Sequence, residues 1–347
     1  MCSGRGRVDM SDRIVIAGAS GFIGGYLARS FRAEGATVSL IGRRAGPSGR
    51  ADAAWGDTAG ITDLLDGADL LINMAGKSVN CRYTEQNRVE IMRSRVETTR
   101  ELTRALRDCE DPPSLWINSS TATIYRHAED RPMAEVGGEL GEGFSVNVAR
   151  AWEEALFDGD LPGVRRVALR MAIVLGDGSA LIPLIRLAQV GLGGPQLDGR
   201  WFSTASRRSA GTFHRLRARG GRQRFSWIHI ADVLGIIQFL RMHDELDGAL
   251  NASSPNPSDD FTVMRTLRDV LGIPIGLPVL RWMLEIGSMM IQTETELVLK
   301  SRWVVPERLL DSGYEFEYPD LAPALRDIIA TRRLAGVSAG RDLPLVG

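Results

Sequence analysis

"RIVIAGASGFIGGYLARSFRAEG", residues 13–35, is the stretch whose reading decides the fold. A short apolar run reaches Gly18, and an amphipathic helix with Ile23, Leu27 and Phe31 on one face opens directly after it. Gly18, Gly21 and Gly24 stand in G-x-x-G-x-x-G spacing. Glycine permits both a tight turn and a close backbone approach. The helix N-terminus beyond the turn then offers unpaired N–H groups and a favourable dipole to an anion such as a pyrophosphate. A glycine triplet alone is a weak signal, but a strand before it and a helix after it are the context that a dinucleotide site requires.

Working outward, "TVSLIGR", "DLLINMAG", "SLWINSST" and "VRRVALRMAIVLG" read as further strands, separated by helical patterns that include a long polar helix from about Thr84 to Leu106. This alternation predicts an α/β fold, a Rossmann-type doubly wound parallel sheet covered on both faces. After about residue 177 the texture changes to Gly/Pro-rich "GLGGPQLDG", short "SWIHI", the helix "ADVLGIIQFLRMH" and a helical C-terminal region from about Val263. The expected division is a nucleotide-binding domain over 12–177 that also uses segments from about 225–252, and a smaller substrate lobe over 178–332. Residues 1–11 and 333–347 read as tails.

The 347 residues, 44% of them hydrophobic, are enough for a sizeable core. A net charge of −1 gives the whole chain no electrostatic reason to seek nucleic acid or an anionic membrane. Cys2, Cys81 and Cys109 are odd in number and lack metal-ligand spacing, which fits reduced thiols in the cytoplasm and no metal centre. "MCSGRGRVDMSDR" lacks the apolar core of a secretory signal. The apolar stretch from Ile273 to Ile291 is broken by Pro274, Pro278, Arg281 and Glu285, so it reads as an amphipathic helix and not a membrane span.

At the end of the second strand, where an NAD site would place an acid on the ribose, the chain has Arg43 and Arg44. Guanidinium groups pair with phosphates, so NADP(H) is the better expectation, against the alternative that the two arginines are solvated charge. The expected cofactor contacts are Gly18, Ser20, Gly21, Phe22, Ile23, Gly24, Arg43, Arg44, Asp57, Ala75, Gly76, Lys77 and Ser119.

"SSTATIY", residues 119–125, closes a hydrophobic strand with a hydroxyl cluster of the kind that polarises a carbonyl in nicotinamide-dependent enzymes. Such a cluster ordinarily works with a tyrosine that passes the proton and a lysine four residues on that lowers its pKa. Only Lys77 and Lys300 are lysines, and Asn73 and Glu296 precede them at that spacing. Where the pair would lie, "FSVNVARAWEEA" puts Phe144 and Val148. A phenyl ring has no proton to give.

Together "GASGFIG", "INMAGKSV", "SRVETTR", "SSTATIY", "WEEA", "LRMAIVLG", "GLGGP", "SWIHI" and "VVPERLLDSGYEFEYPDLAPAL" resemble the extended short-chain dehydrogenase/reductases. Within them the likeness is to the atypical YfcH-type branch labelled "epimerase family protein", NAD-dependent epimerase/dehydratase-like with a C-terminal extension, from about Arg13 to Ile329. The resemblance implies NADP(H) binding, a substrate lobe from the C-terminal half, and replacement of the tyrosine and lysine as a trait of the branch. By position it makes Thr121 the hydroxyl facing nicotinamide and substrate, with local backbone bonding as the competing reading. It puts Tyr125 on the substrate side, where it is also considered as a surviving proton carrier. Glu135 faces the cleft or is a solvated loop carboxylate. Lys77, at a strand's carboxyl end, is an anion contact, and His229 is an acid or base unless it is a core histidine beside Trp227.

Roughly 20 residues more than the family pattern separate "GLGGP" from "SWIHI". Arginines at 200, 207, 208, 215, 217, 219, 222 and 224, with no acid from Gly199 to Phe225, read either as a disordered hairpin or as a lid or anion-binding arm. Two functions lead: an NADP(H)-dependent oxidoreductase or epimerase acting on an unidentified small molecule, an anionic one among the options, and a nucleotide-sensing regulator with little turnover, its link to cell division a label only. Behind them stands a nucleic-acid or membrane accessory acting through the arginine-rich stretch. Oligomeric state is left open.

Overall fold

The structure, a computed structural model, describes residues 12–46, 51–178, 181–199, 202, 204–209, 220–290 and 300–341. Its strands are β1 (Arg13–Ala17), β2 (Thr37–Gly42), β3 (Ala53–Ala54), β4 (Leu70–Asn73), β5 (Leu115–Thr121), β6 (Arg165–Met171), β7 (Ile173–Leu175), β8 (Arg224–Phe225), β9 (Trp227–His229), β10 (Gly248–Ala252) and β11 (Ser258–Asp259). The helices are α1 (Phe22–Ala33), α2 (Thr58–Leu65), α3 (Glu85–Asp108), α4 (Phe144–Phe157), α5 (Leu181–Gln189), α6 (Ala205–Ser209), α7 (Ile230–Met242), α8 (Asp260–Leu271), α9 (Arg281–Met290), α10 (Glu307–Asp311) and α11 (Leu321–Arg341).

Seven strands form one parallel sheet in the order β10-β6-β5-β4-β1-β2-β3. Alternation along each strand explains the two cores. Ile14, Ile16, Leu70, Ile72, Ile117 and Val167 face α1 and α7, whereas Val15, Ala17, Leu71, Trp116 and Ala168 face α2, α3 and α4. Because both faces are covered, every residue of β4 is buried, as a central parallel strand requires. The order reverses at β1, which pairs with β2 on one side and β4 on the other, and ligands enter such sheets at the carboxyl ends beside that reversal.

Two sequence expectations change. The run Val164–Gly176 is not one strand: after Ala172 donates to Ala252 O at 2.9 Å, the chain leaves the large sheet and β7 pairs with β9. This turn starts a second layer in which β9, α5, α8 and α11 share a separate core of Trp227, Leu181, Ile185, Val263, Leu267 and Leu325. The expected loose tail from Arg333 is helical through Arg341, as the continuation of α11, with residues 342–347 outside the described set. Residues 1–11, with Cys2, also fall outside it, as do residues 200, 201, 203 and 210–219 of the arginine-rich insertion. Its far end is structural: Arg224 begins β8 and lies over the Trp303 ring at 4.1 Å. Among the described residues, no helix is long and apolar enough to cross a membrane.

Candidate functional site

Gly18 has φ +84°, and a Cβ built on it would stand 2.7 Å from the backbone of Met74 and Ala75 at the end of β4. A Cβ on Gly24 would stand 2.6 Å from Gly18 O, so α1 abuts the turn directly. Gly21 meets only Gly18 O at 3.4 Å and is exposed. Two glycines therefore serve packing, while the third leaves the face of the turn open. Gly21 is also the N-cap of α1, with no side-chain cap, so the helix presents its N–H groups outward. A pyrophosphate fits this cradle on backbone geometry alone. Phe22 closes one side, its ring 2.7 Å from a Cβ position on Gly176.

The other predicted contacts lie along the same sheet edge. Arg43 and Arg44 are exposed just past β2. Asp57 caps α2, accepting from Gly60 N at 3.0 Å, and the buried Glu101 accepts from Gly56 N at 2.7 Å to hold that loop. Lys77 is half-buried, its backbone held by Ser94 Oγ at 2.9 Å and by Arg95 Nη1 at 3.0 Å.

Beyond β4 and β5 opens a cavity of about 190 Å³. Met74, Ala75 and Gly76 form its floor on one side, and Ser119, Ser120 and Thr121 on the other. A buried amide network sets the spacing: Asn73 Nδ2 donates to Asn118 Oδ1 at 2.7 Å, and Asn73 Oδ1 accepts from Ala75 N at 3.0 Å. Ser120 is committed downward, donating to Glu153 Oε1 at 2.6 Å, while Arg170 clamps the same carboxylate at 2.8 and 2.7 Å. Thr121 Oγ1 accepts from Thr123 N at 3.1 Å and keeps its own O–H for another acceptor. Thr121 thus both binds local backbone and lines the cavity. Phe144 and Val148 line the opposite wall from α4, and Tyr83 and Arg95 join them from the α3 side.

Three predicted catalytic residues lie elsewhere. Tyr125 is 1% exposed, its hydroxyl donating to Asn251 Oδ1 and accepting from Arg170 Nη1, both at 2.9 Å, and burial raises its pKa. It is a scaffold phenol beneath the cavity. Glu135 accepts from Asn251 N at 2.8 Å, and burial raises its pKa too; it ties the loop after β5 to β10 and so neither faces the cavity nor stands as a solvated loop carboxylate. His229 Nδ1 accepts from Ala231 N at 3.2 Å as the N-cap of α7, its ring 4.0 Å from that of Tyr318. Burial lowers its pKa, and it belongs to the second layer.

Sequence reasoning missed Arg95, Tyr83 and Glu153. "WEEA" and "SRVETTR" contained two of them, but only the meeting of α3 and α4 above the sheet brings them to one place.

Residues 14–140 match the NAD dependent epimerase/dehydratase family, and residues 281–328 match a domain of unknown function, DUF1731. Epimerase family protein SDR39U1 of Bos taurus is 30% identical over 331 residues, covering 92% of this chain and 100% of that protein. Epimerase family protein YfhF of Bacillus subtilis (strain 168) is 28% identical, covering 92% and 99%. The crystal structure of human SDR39U1 (isoform2) with NADPH superposes with a TM-score of 0.76 at 27% identity, covering 92% of this chain and 99% of that one. MoeE5 in complex with UDP-glucose and NAD, at 18% identity and a TM-score of 0.66 over 94% and 100%, shares the fold. The chain belongs to the NAD dependent epimerase/dehydratase family, alongside the SDR39U1 and YfhF epimerase family proteins.

Proposed function

We propose that this family member is an NADP(H)-binding oxidoreductase or epimerase that acts on a small molecule bound in the cavity beside Thr121. The observation that carries the reading is the continuity of the sheet edge: the open glycine turn after β1 and the hydroxyl-lined cavity after β5 flank the same β4 end. Gly21 and the first turn of α1, on a turn that Gly18 and Gly24 shape, hold the pyrophosphate, Arg43 and Arg44 the 2′-phosphate, and Ala75, Gly76 and Ser119 the ribose and nicotinamide. The NADPH in the human SDR39U1 structure supports the same choice.

The cofactor supplies hydride chemistry when bound. The chain's own part is electrostatic. Thr121 donates its free O–H to a substrate oxygen on which charge develops, Ser120 is held still by Glu153, and Phe144 and Val148 exclude water from that wall. Removing one such donor costs about 10²–10³-fold in kcat where it acts as an oxyanion donor. A screen of carbonyl and sugar-nucleotide compounds with labelled NADPH tests this. Thr121→Val is expected to lose about 10²-fold of any turnover found, with NADPH affinity nearly unchanged. Full activity in Thr121→Val removes the residue from the mechanism.

A second reading rests on Phe144 and Val148 lining the cavity with no titratable group of their own. On it the protein senses NADP(H) and turns over little. NADPH would then raise the melting temperature by mass action with no product in any screen.

A further inference from the structure

The α4 wall of the cavity lacks a phenol and a cation, yet the cavity has both. Tyr83, just before the N-cap of α3, is buried with its ring edge-on to Phe144, centroids 5.0 Å apart at 65°. It packs in one apolar cluster with Val148 and Ile91. The ring therefore packs against one of the two positions where the usual tyrosine and lysine would stand and shares a cluster with the other. Arg95 enters from α3, its guanidinium 5.0 Å from the Trp152 ring centroid and its Nη1 bonded to Lys77 O and Ile91 O at 3.0 and 3.1 Å. Among the described residues no carboxylate pairs with it, so its charge is not spent on a structural ion pair.

We propose that Tyr83 is the proton carrier of this site and Arg95 the cation that stabilises its phenolate, a pair supplied by the α3 side in place of the one α4 lacks. The inference rests on the cavity being the reaction site of the proposed function. In the reducing direction the O–H bond of Tyr83 breaks and its proton joins the substrate oxygen, which gains the π electrons of its C=O bond. The hydride that reaches the carbon comes from the nicotinamide named above, which is oxidised, and water reprotonates the phenolate.

The charges of the two groups are coupled. Burial lowers the pKa of Arg95 to about 10, still cationic at neutral pH, and Tyr83 is the leading charge neighbour that opposes this fall. Such coupling is reciprocal: a phenolate that favours the guanidinium is itself favoured by it. The other four of the five tyrosines, Tyr26, Tyr125, Tyr314 and Tyr318, are all held above the ordinary phenol value, chiefly by burial. A phenol that ionises early is therefore assignable.

The test is a phenolate absorbance titration of the full chain without cofactor. The expected result is one phenol ionising at least a unit below about 10. Tyr83→Phe removes this step and keeps the ring, Arg95→Met moves it up by at least a unit, and Arg95→Lys largely restores it. No early phenol in the wild type, its survival in Tyr83→Phe, or indifference to Arg95→Met overturns the pairing. NADPH titrated into the same samples separates the two claims. An early phenol with no NADPH binding overturns the function reading and not the pairing, whereas NADPH binding with no early phenol does the reverse. With any substrate that consumes NADPH, Tyr83→Phe is expected to lower kcat by about 10²-fold or more and to abolish the alkaline limb of the pH profile; retained turnover overturns the catalytic role.

Discussion

The glycine turn after β1 and the hydroxyl cavity after β5 occupy one edge of one sheet, but they are constrained in different ways. At the turn the constraint is on backbone space: Gly18 and Gly24 admit no Cβ, so the chemistry must be spelled in glycine at fixed spacing. At the cavity the constraint is on which atoms reach a point, and any neighbouring element can deliver them. The phenol and cation come from the α3 side while α4 offers Phe144 and Val148. A motif written along the chain is thus a good guide to the first region and a poor one to the second.

The sharpest way to break this contrast is to unbuild the cavity's support. Arg170→Met leaves Glu153 buried without its partner beneath Ser120, at a cost expected to be about 3–5 kcal/mol by denaturant unfolding. If the loss is under about 1 kcal/mol, the polar base of the cavity is incidental. On the other side, Gly24→Val forces a Cβ against Gly18 O and should cost about 1–3 kcal/mol and abolish measurable NADPH binding. Retained binding would show that the turn does not hold the cofactor.

Asp260 offers a control far from both regions. Its carboxylate, buried at the start of α8, accepts from Gln196 N at 2.7 Å, and burial pushes its pKa up to about 7 from 3.8. Because the folded value is the higher one, the unfolded chain gives up this proton first. The contribution to stability is therefore fullest below about 3.8 and is lost as pH rises through about 7. Asp260→Asn keeps an acceptor for Gln196 and removes the charge, so it should stabilise the protein at pH 8 by on the order of 1 kcal/mol and flatten the profile, with NADPH affinity unchanged. A destabilised variant at pH 8 would contradict this.

Much of the fold could be read from the sequence because it rests on local rules. Fully buried strands read as apolar runs, and Thr84, Asp57 and Asp259 stand where the helices begin, each as an N-cap. The break at Ala172 could not be read, because "RMAIVL" is equally apolar on both sides and only pairing with Ser226 and Ala252 turns the chain. Tyr125 and Glu135 were misplaced for a related reason, and for His229 the buried ring favours the core reading beside Trp227. Each is a polar residue in a strand or in the chain that follows one, and whether it meets the cavity or the scaffold depends on Asn251, Arg170 and Tyr318, which lie 45 to 126 residues away in sequence. Arg43 and Arg44 stay exposed beyond β2, a placement that a phosphate contact and solvated charge share.

The most direct test of the account is calorimetric titration of the wild-type protein with NADPH and with NADH, repeated in Arg43→Asp. The account predicts NADPH tighter by at least about tenfold, about 1.4 kcal/mol, with the margin narrowed or reversed in the variant. Equal affinities, or a preference for NADH in the wild type, would contradict it.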